Sequence, residues 1–136
     1  MASSITRVLI CDDSAVARES LARLLESDPA IRVVARSGNG RAALDAITRQ
    51  PVDVVVLDIE MPIMDGITAL PMLVRAAPGV RVIMAPRTAQ KGANLALRAL
   101  RDGAADFIAK PGTGDFGGMA GFRTELLAKV KGHGRI

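Results

Sequence analysis

Residues 8–13 of the chain read VLICDD, and residues 54–58 read VVVLD. Each stretch is a short apolar run that ends in acid, with Asp12 and Asp13 after the first and Asp58 after the second. Apolar runs that alternate with helical segments are typical of buried strands in a parallel sheet, whose carboxyl ends open onto a ligand crevice. A lone Asp at such a place would more often end a strand or cap a helix. Here both strands end in acid, and three carboxylates in one crevice repel each other unless a cation joins them.

The rest of the chain repeats the alternation of strand and helix. Strands are predicted at 7–11, 31–35, 54–57, 80–85 and 106–109. Helices are predicted at 15–26, around 43–47, at 89–101 and at 122–131, and a further helix, the third along the chain, is predicted to end at about residue 77. With right-handed crossovers, five such units give an α/β fold, a doubly wound (βα)5 five-stranded parallel sheet with helices on both faces.

Two stretches complicate this pattern. Pro71 falls within the third helical segment, where an interior proline would cost about 3 kcal/mol. We therefore expect that helix to begin near Leu70 or to kink. Residues 112–121 contain five glycines but lack the G-x-x-x-x-G-K-[ST] order of a phosphate-binding loop, so they are predicted to be a flexible connector.

Composition bounds the class of protein. A length of 136 residues suits one domain, predicted at 1–131 with disorder over residues 1–5 and a tail or linker stub at 132–136. The single cysteine excludes a disulfide framework within one chain, and the absence of a long apolar run or leader predicts a cytoplasmic protein without a membrane partner. The net charge of +4 is spread along the chain, and only three aromatic residues occur, so no nucleic-acid partner is expected.

The residues at the strand ends carry a family resemblance. An acidic pair follows strand one, DIEMPIMDG at 58–66 follows strand three, and Lys110-Pro111 follows strand five. In this order they resemble the receiver domains of two-component response regulators, which have a flavodoxin-like (CheY-like) fold, over nearly the whole chain. The stretches at 58–66 and 97–111 are most similar to the regulatory domain of chemotaxis receptor methylesterases of the CheB type.

The resemblance implies a phosphoryl-acceptor site. Asp58 would accept a phosphoryl group from a histidine kinase. Mg²⁺ would be held by Asp13, by the Asp58 carboxylate and by the backbone carbonyl of Glu60, with Asp12 bound through water, because hard oxygen ligands suit that ion. Lys110 would supply positive charge from the opposite side. The alternative for Lys110 is a solvated lysine before a turn proline.

The resemblance also implies residues that sense the phosphoryl group. An aromatic switch residue falls on Phe107, where a plain core phenylalanine is an equal alternative. A Ser or Thr is expected at the end of strand four, but the strand register places Pro86 there, which has neither a hydroxyl nor an amide N–H. Counting thirty residues from Asp58 gives Thr88 instead. We favour the strand register.

Three functions follow from these residues. The leading hypothesis is a receiver that is phosphorylated on Asp58 and then switches the binding of a downstream protein or a fused effector domain. The second is a degenerate receiver that binds partners without a working switch, because of Pro86. The third is a small Mg²⁺-dependent phosphatase with Asp58 as nucleophile and Glu60 as acid.

We expect the chain not to be an enzyme beyond its own phosphorylation and dephosphorylation. A methylesterase needs a Ser-His-Asp type of constellation, and the one histidine, His133, lies in the predicted tail. Any methylesterase domain is expected to lie outside this chain.

Overall fold

The computed structural model of the chain describes residues 5–86, 89–111 and 116–134. These residues form a five-stranded parallel sheet in the order β2-β1-β3-β4-β5. The predicted doubly wound fold is confirmed. Residues 1–4, for which disorder is expected, and Thr88 lie outside the described residues. The elements in chain order are β1 (Thr6–Cys11), α1 (Ala15–Glu26), β2 (Ile31–Ser37), α2 (Gly40–Arg49), β3 (Val54–Leu57), α3 (Gly66–Ala76), β4 (Arg81–Met84), α4 (Ala89–Arg101), β5 (Asp106–Phe107) and α5 (Phe116–His133).

The core lies on both faces of the sheet because successive strand residues point in opposite directions. In β1, Leu9 packs in the cluster that includes residues of α2 and α3, whereas Ile10 packs in the cluster that includes residues of α1 and α5. Every residue of β3 is at most 1% exposed, which explains its uninterrupted apolar sequence.

Strand pairing brings the acidic strand ends together. Cys11 at the end of β1 pairs with Leu57 at the end of β3. The residues that follow, Asp12 and Asp58, therefore leave the sheet side by side. The Asp58 N–H continues the ladder by donating to the Cys11 carbonyl at 2.9 Å.

The expected start of the third helix near Leu70 is wrong. α3 begins at Gly66, and Pro71 lies inside it. The Asp65 carboxylate caps the helix by accepting a hydrogen bond from the Thr68 N–H at 2.8 Å, and the Gly66 N–H donates to the Ile59 carbonyl at 2.8 Å. These two local bonds fix the start of the helix, although Pro71 removes one bond further along.

The last helix is longer at both ends than the sequence predicts. α5 begins at Phe116, within the stretch predicted as a connector, and it continues to His133, two residues beyond the predicted domain end. Glycines are poor helix formers, but packing can override propensity. The helix buries Phe122, Leu126 and Val130 in the core. None of the helices in the described part of the chain has the combined length and hydrophobicity that crossing a membrane requires.

Candidate functional site

Three carboxylates converge at the carboxyl ends of β1 and β3. One oxygen each from Asp12, Asp13 and Asp58 lies within 4.8 Å of the other two. Asp12 and Asp58 are 1% exposed, whereas Asp13 is open to solvent. Clustered carboxylate oxygens are the ligands that hard cations such as Mg²⁺ prefer, so the donor set fits that ion.

A lysine faces these acids from the end of β5. The Lys110 ammonium group contacts Asp12 Oδ2, and its Nζ lies 3.7 Å from Asp58 Oδ1. The side chain is 15% exposed, so the ammonium group faces the crevice rather than bulk solvent. Lys110 thus offsets part of the negative charge that burial makes costly.

The loops after β1 and β3 hold the acids in place. Asp12 Oδ1 accepts a hydrogen bond from the Ser14 N–H at 2.9 Å, and Asp58 Oδ1 accepts one from the Ile59 N–H at 2.9 Å. The Arg18 guanidinium reaches back from α1 to donate to the Asp12 carbonyl at 2.5 Å. Gly38 leaves room for this arginine, because a Cβ there would lie 3.3 Å from Arg18 Nη1.

Cys11 lies directly beneath the acids. Its thiol donates to the Asn39 carbonyl at 3.2 Å, and Sγ lies 3.5 Å from Met61 Sδ. Burial, with further contributions from the charges of Asp12 and Asp58, raises the pKa of the Cys11 thiol to about 12. The thiol therefore stays protonated and unreactive at neutral pH.

Two candidate switch positions lie in the described residues: Pro86 follows β4 by two residues, and Phe107 ends β5. Pro86 is buried, and its carbonyl accepts a hydrogen bond from the Lys110 N–H at 3.0 Å. Thr88, the other candidate, lies outside the described residues. Phe107 is half-buried and packs against the core cluster on the α2 and α3 face. The ammonium group of Lys129 lies over the Phe107 ring, 5.6 Å from its centroid.

Sequence reasoning missed the polar network around β5. Lys129 Nζ donates to the Phe107 carbonyl at 2.7 Å and to Asp106 Oδ1 at 3.1 Å, and it pairs with Glu125 at 2.9 Å. His133 Nε2 lies 3.0 Å from Asp106 Oδ2. The available signal was the recurrence of charged or polar residues every four positions at 125, 129 and 133, which places them on one helix face.

The same network sets the ionisation of Asp106. Burial pushes the pKa of Asp106 upward, but hydrogen bonds from His133, the Phe107 N–H and Lys129 together lower it below its ordinary value. Burial likewise opposes the charge of Lys129, and its bonds to Glu125 and Asp106 raise its pKa overall.

Glu60 does not join the acidic cluster through its side chain. The side chain is exposed and lines a cavity of about 400 Å³ between the β3–α3 loop and α4. Within the described residues, the acidic cluster contains only the three aspartates. A phosphatase mechanism would need a second acid close to Asp58, and the Glu60 carboxylate is not placed there.

A comparison with protein families matches residues 8–115 to the family described as the response regulator receiver domain. The chain belongs to this family. Its sheet order and acidic strand ends are therefore those of a receiver domain, and the resemblance read from the sequence is confirmed.

Known relatives indicate which kind of receiver domain this chain resembles. A protein-glutamate methylesterase/protein-glutamine glutaminase from Rhodospirillum centenum is 53% identical over 129 residues, which cover 94% of this chain and 33% of the relative. The response regulator domain of Thermotoga maritima CheB matches with a TM-score of 0.85 and 36% identity, over 97% of this chain and 98% of that one.

Two further solved structures are complexes. The complex of the P1 domain of CheA3 with CheY6 from R. sphaeroides contains a chain that matches with a TM-score of 0.73 and 36% identity. The match covers 93% of this chain and 99% of that one. The CheX-CheY-BeF3-Mg+2 complex from Borrelia burgdorferi contains a chain that matches with a TM-score of 0.78 and 29% identity, over 93% and 87% of the two chains.

These relatives correct one expectation. The expectation that the chain is not an enzyme is wrong for the proteins it resembles, because relatives of 48–53% identity are named as methylesterases and glutaminases. The receiver domain spans about a third of the length of these relatives. The single histidine of this chain could not reveal the activities in these names, because the named relatives are about three times longer than the chain.

Proposed function

We propose that this receiver domain accepts a phosphoryl group on Asp58 from a histidine kinase and thereby regulates a methylesterase-type effector. The observation that carries the proposal is the convergence of Asp12, Asp13 and Asp58 with the ammonium group of Lys110. The solved complex of a CheA P1 domain with a 36% identical CheY supports a kinase domain as donor. The methylesterase relatives support the effector.

The chain's own residues position the acceptor. The Ile59 N–H fixes the Asp58 carboxylate, whose oxygen would form the new O–P bond as the P–N bond of a phosphohistidine breaks. Asp13, Asp58 and the Glu60 carbonyl would hold Mg²⁺, with Asp12 acting through water. The ion, when bound, neutralises charge on the transferring phosphoryl oxygens. Lys110 stabilises the same charge from the side of β5.

Lys110 also offers a route by which the phosphoryl group on Asp58 affects the end of β4. By analogy with other phosphoryl groups, the group on Asp58 carries roughly −1.5 to −2 of charge in place of the carboxylate's single negative charge, and it competes with Asp12 for the lysine ammonium. The Lys110 N–H is bonded to the Pro86 carbonyl, and Ile108 continues the β4 ladder. A shift of Lys110 would therefore move Pro86, which follows β4, without the hydroxyl that Pro86 lacks.

The test of the acceptor is labelling with radioactive acetyl phosphate in Mg²⁺. We expect the wild type to be labelled at Asp58 and Asp58→Asn to lose at least nine tenths of the label, because the amide is a poor nucleophile. Removal of Mg²⁺ with a chelator should abolish labelling in the wild type.

Asp45→Asn is the matched control, since Asp45 is an exposed carboxylate on α2 away from the crevice. It should be labelled like the wild type. Undiminished labelling of Asp58→Asn, or equal labelling without Mg²⁺, would contradict the proposal.

A further inference from the structure

The loop between β1 and α1 is short, and it contains two of the three acids. β1 ends at Cys11 and α1 begins at Ala15, so residues 12–14 make the whole connection. Ser14 caps α1, because its hydroxyl accepts a hydrogen bond from the Ala17 N–H at 3.2 Å. The two aspartates of this loop therefore lie between the end of a buried strand and the fixed start of a helix.

Asp12 is held at each of its hydrogen-bonding groups. Its N–H donates to the Ser37 carbonyl at 3.0 Å, at the end of β2. One carboxylate oxygen accepts from the Ser14 N–H, and the other contacts the Lys110 ammonium group. The remaining group is the backbone carbonyl, which accepts from the Arg18 guanidinium at 2.5 Å. Arg18 thus completes the fixation of Asp12.

The carbonyl that Arg18 holds belongs to the peptide bond between Asp12 and Asp13. A peptide bond is planar and rigid, so a fixed carbonyl fixes the whole plane, and with it the direction from which the Asp13 side chain leaves the backbone. Asp13 is the exposed member of the three acids, and one of its carboxylate oxygens lies within 4.8 Å of an Asp58 oxygen. A rotation of this peptide bond would therefore change how the two carboxylates face each other.

The place that the guanidinium occupies suits an arginine. A Cβ at Gly38 would lie 3.3 Å from Arg18 Nη1, closer than ordinary van der Waals contact, so the half-buried arginine lies against the loop between β2 and α2. A guanidinium donates from a rigid, planar fork, whereas a lysine ammonium is a compact, strongly hydrated donor on a flexible stem. A lysine at residue 18 would keep the charge but would not reproduce this contact.

The charge of Arg18 does not by itself favour a cation in the crevice. Burial is the main cause of the raised pKa of Cys11, and the charge of Arg18 acts on that pKa in the opposite direction. Arg18 is thus close enough to affect a group directly beneath the acids. A positive charge at that place repels Mg²⁺, so electrostatics alone predicts that removal of Arg18 tightens Mg²⁺ binding.

We propose that Arg18 is a positioning residue for the Mg²⁺ site: it holds the peptide bond between Asp12 and Asp13 so that Asp13 presents its carboxylate to the ion. The inference rests on the proposed function, in which Asp13 and Asp58 hold Mg²⁺. Groups that orient metal ligands commonly change metal affinity by about 10- to 100-fold when they are removed. We expect this contribution to exceed the repulsion from a charge that solvent partly screens.

The test is isothermal titration calorimetry of the whole chain with MgCl₂, without a phosphodonor. We expect Arg18→Met to raise the Kd for Mg²⁺ about tenfold, because the apolar stem stays while the donor is lost. Arg18→Lys should raise the Kd by a similar factor, although it keeps the positive charge. With acetyl phosphate, both variants should be labelled slowly at low Mg²⁺, and within about twofold of the wild-type rate at saturating Mg²⁺.

Arg23→Met is the matched control, because Arg23 is an exposed arginine further along α1 that pairs with Glu19. It should bind Mg²⁺ like the wild type. Wild-type or tighter binding by Arg18→Met, wild-type affinity in Arg18→Lys, or an equal loss in Arg23→Met would overturn the inference. Failure of the wild type to bind Mg²⁺ would contradict the metal site itself, whereas Mg²⁺ binding without labelling would contradict only the acceptor role of Asp58.

Discussion

At the scale of single residues, Gly66 sets the distance between α3 and the acidic crevice. A Cβ at this position would lie 2.1 Å from the Asp58 carbonyl oxygen and 3.1 Å from the Ile59 Cα. The obstruction is backbone on both sides, so no side-chain rotation can relieve it. The absence of a side chain at Gly66 therefore lets the helix cap and the acceptor residue share one tight loop.

Gly66→Ala tests this close approach. We expect it to lower the free energy of unfolding by about 3 kcal/mol, because the loop carrying Asp58 must move to admit the methyl group. The measurement is urea unfolding followed by circular dichroism. Gly121→Ala is the control, since a Cβ there meets nothing within 4 Å inside α5, and it should raise stability by about 0.5–1 kcal/mol. Equal effects of the two substitutions would contradict the steric account.

At the scale of elements, α5 supports the shortest strand of the sheet. β5 contains only Asp106 and Phe107, and both are bonded to Lys129, one through its carboxylate and the other through its carbonyl. His133 adds a second contact to Asp106. The last two turns of α5 thus hold the strand that leads to Lys110 in the crevice.

Lys129→Met should weaken this support. Methionine keeps the apolar stem but loses the hydrogen bonds to β5, so we expect a loss of about 2 kcal/mol in the free energy of unfolding. Urea unfolding measures the loss, and hydrogen exchange at the Phe107 and Ile108 amides should accelerate. Lys131→Met, which removes the pair of a more exposed lysine with Asp28, should cost less. A larger loss in Lys131→Met would show that β5 is not held by Lys129.

Elements with a continuous local signal could be predicted, and elements that depend on distant partners could not. The apolar runs at 8–11 and 54–57 identify β1 and β3, and parallel pairing then places Asp12 beside Asp58. The start of α3 differs from the prediction because the Asp65 cap and the bond from Gly66 to Ile59 fix the helix start despite the interior Pro71. No local apolar pattern predicts the positive φ of Ile63, because it arises from the geometry of the β3–α3 loop. None predicts the contacts of Lys129 either, because their partners lie 22 or 23 positions away.

At the scale of the whole molecule, ion pairs join segments that are far apart in sequence. Asp53 pairs with the Arg7 side chain through two hydrogen bonds, and Asp28 pairs with Lys131 across 103 residues. A hydrogen bond from Arg7 lowers the pKa of Asp53, and one from Lys131 lowers the pKa of Asp28. With Asp106, three carboxylates therefore have depressed pKa values in the folded chain.

Acid should weaken the fold through these carboxylates. Because each folded pKa lies below the unfolded value of about 3.9, their stabilisation is complete above that pH and is lost as pH falls through the folded pKa. We expect the urea midpoint of the wild type to fall between about pH 5 and pH 2. Asp53→Asn should be less stable than wild type at pH 7, and the gap should narrow in acid. Asp45→Asn should track the wild type, and a gap for Asp53→Asn that is constant with pH would contradict this account.

The buried thiol of Cys11 gives the molecule a native reporter of its own opening. It is the chain's single cysteine, 1% exposed and one residue before the acid pair. A thiol reagent can reach it only when the loops over the ends of β1 and β3 separate, so the rate of modification measures how often that happens. Ligands that bridge the three aspartates should slow the reaction in proportion to how firmly they close the crevice. Cys11 thus allows the rate of local opening at the acceptor site to be measured in the unaltered protein, without an added label.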